Sequence, residues 1–135
     1  MRQIGYLGDI LFEVGMDKLI SPYNIQWSGS TRYATHLRHV NNALTEFMGV
    51  DPDKMSFEIH LSADLGIDVM TELGKIWAYE RNGKQLSLVI GEKIYGKYRW
   101  TIQRHTIKMQ YFDRDGNLIV ADVSLNLLEY IHINM

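Results

Sequence analysis

The run Met55-Ser56-Phe57-Glu58-Ile59-His60-Leu61 alternates without exception between apolar and polar side chains. Successive side chains of a strand point to opposite faces, so Met55, Phe57, Ile59 and Leu61 share one side and Ser56, Glu58 and His60 the other. A second run near the end of the chain does the same. It sets Ile119, Ala121, Val123, Leu125 and Leu127 against Asp122, Ser124 and Asn126. Two such runs commit the chain to an antiparallel sheet with one covered face and one wet face. A slip of one residue would turn every apolar side chain outward, so the pattern also pins the register.

The remaining elements follow the same logic. Ile4 to Val14 carries Gly5 and Gly8 and then Ile10-Leu11-Phe12-Glu13-Val14, which predicts a short strand ended by Gly15 and Asp17. A second strand is expected around Asn24 to Trp27, and Asp51-Pro52-Asp53 sets the turn before the first alternating run. Gln85 to Ile90 predicts another strand, with a turn region over Gly91-Glu92-Lys93 and Gly96. After it, Tyr98, Trp100 and Ile102 hold even positions, whereas Ile107, Met109 and Tyr111 hold odd ones. One extra residue keeps both sets on one face, which predicts a β-bulge near Arg104-His105-Thr106. Asp113-Arg114-Asp115-Gly116 closes a hairpin.

One helix is expected, begun near Asp68 and stopped by Asn82-Gly83, with Ile67, Met70, Leu73 or Gly74, and Trp77 as its apolar stripe. Gly74 inside it suggests a close backbone approach. Together these elements give an α+β fold: an antiparallel β-sandwich or partial barrel with one packed α-helix. Residues 28–46 stand apart. Ser28-Gly29-Ser30-Thr31 is turn chemistry, and Arg32, His36, Arg38 and His39 are crowded among few large apolar residues. A long segment without structure of its own inside a compact domain is functional or mobile.

Composition bounds the function. The chain has 135 residues, only two prolines, and no internal repeat or linker-like shift, so one domain over residues 1–135 is expected. A formal net charge of −2 offers no global basic field for nucleic acid. The absence of cysteine excludes a disulfide framework and any thiolate metal site. No apolar run approaches the ~18–20 residues of a membrane span, and the start of the chain lacks a signal-peptide core. The expectation is a soluble domain made inside the cell, without a membrane partner.

No constellation of catalytic residues stands out. His36 and His39 are three apart, but no acidic residue completes a zinc pattern and Arg38 lies between them. Asp113-Arg114-Asp115-Gly116-Asn117 resembles the opening of a calcium loop, yet its twelfth position is Ser124 instead of the bidentate Glu. Ser28-Gly29-Ser30 lacks the strand-to-helix setting of a nucleophile elbow. His60, on the polar face of its strand, is expected to be solvated. No catalytic, cofactor or metal residue is assigned, and a non-enzyme is expected. Tyr98, Trp100 and Tyr111, with Arg99, Arg104 and Lys108 nearby, suit a nucleic-acid-binding β-domain. The more ordinary reading has Trp100 and Trp77 filling the space between helix and sheet.

Gly8-Asp9-Ile10-Leu11-Phe12-Glu13-Val14, then Ile25-Gln26-Trp27, Arg32 and Phe47-Met48-Gly49-Val50 resemble, in order, the GpU family of tail proteins from contractile-tailed phages. The likeness continues through the alternating strand, Ala78-Tyr79, Leu88-Val89-Ile90-Gly91 and Gly96-Lys97-Tyr98-Arg99-Trp100-Thr101-Ile102. It ends with Asp115-Gly116 and Val123-Ser124-Leu125-Asn126-Leu127. Two places depart from the family pattern: Ser62-Ala63-Asp64-Leu65-Gly66 before the helix and Leu118-Ile119-Val120 after the hairpin.

The resemblance implies a tail-tube-like structural subunit of a phage tail, tailocin or other contractile injection system. It would form a homohexameric ring, the tube initiator, where the tail tube meets the baseplate hub. The implied partners are further copies of itself, the tail tube protein, the hub or spike, a LysM-bearing baseplate protein and the tape measure protein. The implied location is the particle, assembled in the bacterial host cytoplasm. A tail-completion or terminator ring at the other tube end shares this logic. Residues 28–46 then become an arm between subunits, with Arg32, Tyr33, Leu37 and Arg38 as its contact residues.

Overall fold

The computed structural model describes residues 2–36 and 43–131. Strands β1 (Arg2–Leu7), β2 (Ile10–Val14), β3 (Leu19–Ile20), β4 (Pro22–Ser28), β5 (Thr31–His36), β6 (Leu44–Val50) and β7 (Lys54–Ser62) come first. Helix α1 (Val69–Asn82) follows, then β8 (Leu86–Ile90), β9 (Lys93–Phe112) and β10 (Leu118–Glu129). Eight strands form one open sheet in the order β3-β2-β1-β8-β9-β10-β7-β4, and β5 and β6 form a separate ribbon. The edge strands β3 and β4 are consecutive in the chain with Ser21 alone between them, so the sheet curls back on itself, and β3 touches β7. This is the expected α+β arrangement of an antiparallel sheet with one helix.

The two alternating runs pair with each other. Leu61 faces Ala121, Ile59 faces Val123, Phe57 faces Leu125 and Met55 faces Leu127, and all of these side chains are buried. Each large one contributes at most ~1.5–3 kcal/mol on burial, which makes this pair the centre of the core. The predicted bulge is present one residue earlier than expected. Asn126 faces Arg104 and Leu127 faces Ile102, leaving Gln103 over. It keeps Trp100 and Ile102 on the same face as Ile107 and Met109.

Helix α1 begins at Asp68, whose Oδ1 accepts from the Thr71 amide at 3.4 Å, and ends on Gly83. Its buried face is Val69, Leu73, Ile76 and Tyr79; of the predicted stripe, Ile67 and Leu73 are buried and Trp77 packs partly buried against the core, whereas Met70 is 47% exposed. Two polar anchors fix how the helix sits. The Tyr79 hydroxyl accepts from the Asp9 amide at 2.8 Å. Trp77 Nε1 donates to His105 Nε2 at 3.2 Å, while His105 Nδ1 donates to Glu80.

Gly74 faces open space, so the expected close approach there is absent. The close approach occurs at Gly5 instead, where a Cβ would lie 2.0 Å from the Val89 carbonyl oxygen. Ile4 to Val14 is likewise two strands of a hairpin turned at Gly8-Asp9, not one short strand. Gly96 lies within β9, not in a turn. Its φ of +95° lets the chain bulge over Trp100, where a Cβ would meet the indole at 2.7 Å.

Candidate functional site

The described parts of the 28–46 segment, residues 28–36 and 43–46, are not without structure. β5 and β6 pair antiparallel from Thr31↔Val50 to His36↔Leu44. Only Gly29 and Ser30 separate β4 from β5, and residues 51–53 separate β6 from β7. Since β4 also pairs with β7, the ribbon is the β4–β7 pair carried past the edge of the sheet.

A polar clamp sets this junction. The Asp51 amide donates to the Ser30 carbonyl at 3.0 Å. The Asp51 carboxylate takes Ser30 Oγ at 3.1 Å and Arg32 Nε at 2.8 Å. Below it, Trp27 Nε1 donates to Asp53 Oδ2 at 3.0 Å. Asp53 and the buried Glu129 exchange bonds as well: the Glu129 amide reaches the Asp53 carbonyl at 2.9 Å, and the Asp53 amide reaches Glu129 Oε1 at 3.2 Å.

No described side chain of the ribbon is buried. Its polar groups nevertheless find partners within the junction and the ribbon: Arg32 pairs with Asp51, and His36 Nε2 bonds Glu46 Oε2 at 2.8 Å. Beside these exposed polar groups, large apolar side chains are left open to solvent. Tyr33 is 59% exposed, Phe47 57%, Met48 56%, Val50 55% and Leu44 43%. Tyr33 and Phe47 meet edge to face with ring centres 5.7 Å apart. Several large apolar side chains exposed on one small ribbon, two of them packed together, are a mark of an interaction site.

Arg32 and Tyr33 therefore lie together on β5. Arg32 is held by Asp51 as part of the junction, and Tyr33 belongs to the apolar surface. Leu37 and Arg38 lie outside the described residues, as does His39. Phe47, Met48 and Val50 were not assigned as contact residues; the aromatic at position 47, opposite Tyr33, was the available signal.

The wet face of the sheet is polar but not idle. Asn24 Nδ2 donates to Glu58 Oε2 at 2.7 Å. His60, expected to be solvated, is half-buried and bonds through Nδ1 to Asp122, which also takes Gln110. Burial pushes the Tyr23 phenol above its usual pKa, with the Asp122 and Glu58 charges adding to the rise. An open groove of about 370 Å3 runs along this face between Lys54, Ser56, Gln103, Arg104 and Asn126.

Among the described residues no three His, Asp or Glu side chains gather as metal ligands, and no helix is long and apolar enough to cross a membrane. Trp100 is fully buried and donates to the Tyr95 carbonyl at 2.7 Å, so it is not open to a base.

The family model described as Phage P2 GpU matches residues 8–132 of the chain. No curated protein matches it.

Proposed function

The chain belongs to the Phage P2 GpU family, a family of phage tail structural proteins, and from that premise we propose that it is a subunit of a closed six-membered ring. In this reading the ring is the tube initiator joining the tail tube to the baseplate hub or spike. The LysM-bearing baseplate protein and the tape measure protein are its further neighbours in the particle, and assembly takes place in the host cytoplasm. The role is assembly, with no reaction to catalyse.

The observation that carries the reading is the ribbon. A two-stranded hairpin standing alone is marginal in water, yet this one gives Arg32 and His36 partners and leaves Tyr33, Phe47, Met48 and Val50 exposed. Such a surface is made to be covered by a neighbour. The arm of residues 28–46 is thus the contact element between subunits, with Tyr33 on its apolar surface and Arg32 holding its base. Leu37 and Arg38 complete the proposed set.

Light scattering on a sizing column, with negative-stain images of the same fractions, tests this. The double variant Tyr33→Ser/Phe47→Ser is expected to lose the ring while melting at the wild-type temperature. Rings that persist in the double variant refute the role of the ribbon. A wild-type chain that stays single, alone and with the tail tube protein, refutes the ring.

A further inference from the structure

Strand β9 changes partners along its length. Residues 93–100 pair with β8, and residues 100–112 pair with β10 on the other side. From residue 101 onward, nothing among the described residues pairs the second edge of β9. Side chains over residues 106–112 are exposed apart from the half-buried Ile107. Across β10 and β7, strand β4 leaves another open edge. Each edge is a row of backbone donors and acceptors without a strand partner, a template for a further strand.

The directions of these strands decide what each edge can accept. β9, β10, β7 and β4 alternate in direction through three antiparallel pairings, so β4 runs opposite to β9. Rotation about a ring axis preserves strand direction along that axis. It therefore brings β4 of one copy beside β9 of the next in the antiparallel sense used throughout the sheet. Two β4 edges meeting about a two-fold axis would close at two copies and leave both β9 edges open.

The side chains agree. On the covered face, β4 offers Ile25 and Trp27, 41% and 50% exposed, and β9 offers Ile107 and Met109, the latter 48% exposed. On the wet face, the β9 edge carries Arg104 and Lys108, which have no ion pair among the described residues, and both Glu58 and Lys54 stand beside β4, opposite Tyr23 and Ser28. Like faces join like.

We propose that the open edge of β9 over residues 101–112 takes β4 of a second copy of this chain as an antiparallel strand, joining copies head to tail. This rests on the ring reading above, but it assigns a contact that can fail on its own.

The chain has no cysteine, so paired cysteines report the seam directly. A disulfide needs Cα atoms about 4.4–6.8 Å apart and side chains on the same side. The double variant Ile25→Cys/Met109→Cys, mildly oxidised and run on a denaturing gel without reductant, is expected to give a ladder of multimers. Ile25→Cys/Lys108→Cys, with its second cysteine on the wet face, is expected to give about tenfold less. Ile25→Cys/Ile107→Cys covers a shift of register. Strong dimers from Ile25→Cys alone overturn the proposal by showing β4 against β4. No ladder from any covered-face pair, in samples that images show to be rings, overturns this edge assignment and leaves the ring standing. A chain that stays single at high concentration, alone and with the tail tube protein, overturns both.

Discussion

The β7–β10 pair and the β5–β6 ribbon use the same antiparallel backbone pattern, yet they are held together in opposite ways. In the first, every second side chain is buried against a partner that is also buried, from Met55↔Leu127 to Leu61↔Ala121. In the second no described side chain is buried at all, and its order rests on backbone bonds, one aromatic pair and three polar clamps. The lesson is that strand pairing is cheap to specify locally and costly to stabilise. The core completes itself within one chain, whereas the ribbon leaves its apolar side chains uncovered, which is what the subunit contact proposed above would use.

The contrast is broken most severely in the core. Trp100→Ala removes a side chain with no exposure and strips the Tyr95 carbonyl of its donor. A loss of ~3–5 kcal/mol is expected, a large part of the ~5–15 kcal/mol of a typical domain. Thermal unfolding followed by circular dichroism should fall by more than about 10 °C. Phe47→Ala, the same kind of truncation on the ribbon, should stay within about 0.5 kcal/mol in the isolated chain.

The junction gives an intermediate effect. Asp51→Ala frees both Arg32 and Ser30. Because the pair is half exposed, the global cost should be no more than ~1 kcal/mol. Hydrogen exchange should separate the two regions: ribbon amides exchange faster in the variant, and the β7–β10 amides do not change. Equal acceleration in both would mean that the ribbon and the core open as one unit.

The smallest effect lies at the β9–β10 turn. Hydrogen bonds from Asn117, side chain first and then backbone, hold the Asp113 carboxyl below its ordinary value of 3.8. A carboxylate whose folded pKa is depressed contributes stability that is complete above the unfolded value and is lost as pH falls through the folded one. The melting difference between wild type and Asp113→Ala should therefore be constant from neutral pH down to about 5 and close below about 4. A difference that persists into stronger acid would place the role of Asp113 elsewhere.

What was legible in the residues follows the same divide. The alternating runs, the Gln103 bulge to within a residue, the Asp68 and Gly83 helix ends and the Asp113 turn were all readable, because burial or capping forces particular residue types there. Thr31–His36 was not readable as a strand. With neither face covered, nothing selects between apolar and polar at alternate positions, and the period-two signal vanishes. The helix face was readable in part: Ile67, Leu73 and Trp77 turn toward the core, but Met70 does not, because Val69, Ile76 and Tyr79 satisfy a similar spacing. The bonds that tie Tyr79 to Asp9 and Trp77 to His105 join positions far apart in the chain and leave no local signal. Gly5 was seen, but its reason, the Val89 carbonyl of a strand more than eighty residues away, was beyond local reading.

The ribbon has no slack at its base. β4 passes into β5 through two residues, and β6 into β7 through three, with Asp51 and Asp53 stitching the passage shut. Whatever grips the outer end of the ribbon pulls along the axis of β7, in the middle of the hydrophobic interior, with no slack loop to absorb the tension. A particle that transmits force along its length could use such a subunit as a tie rod.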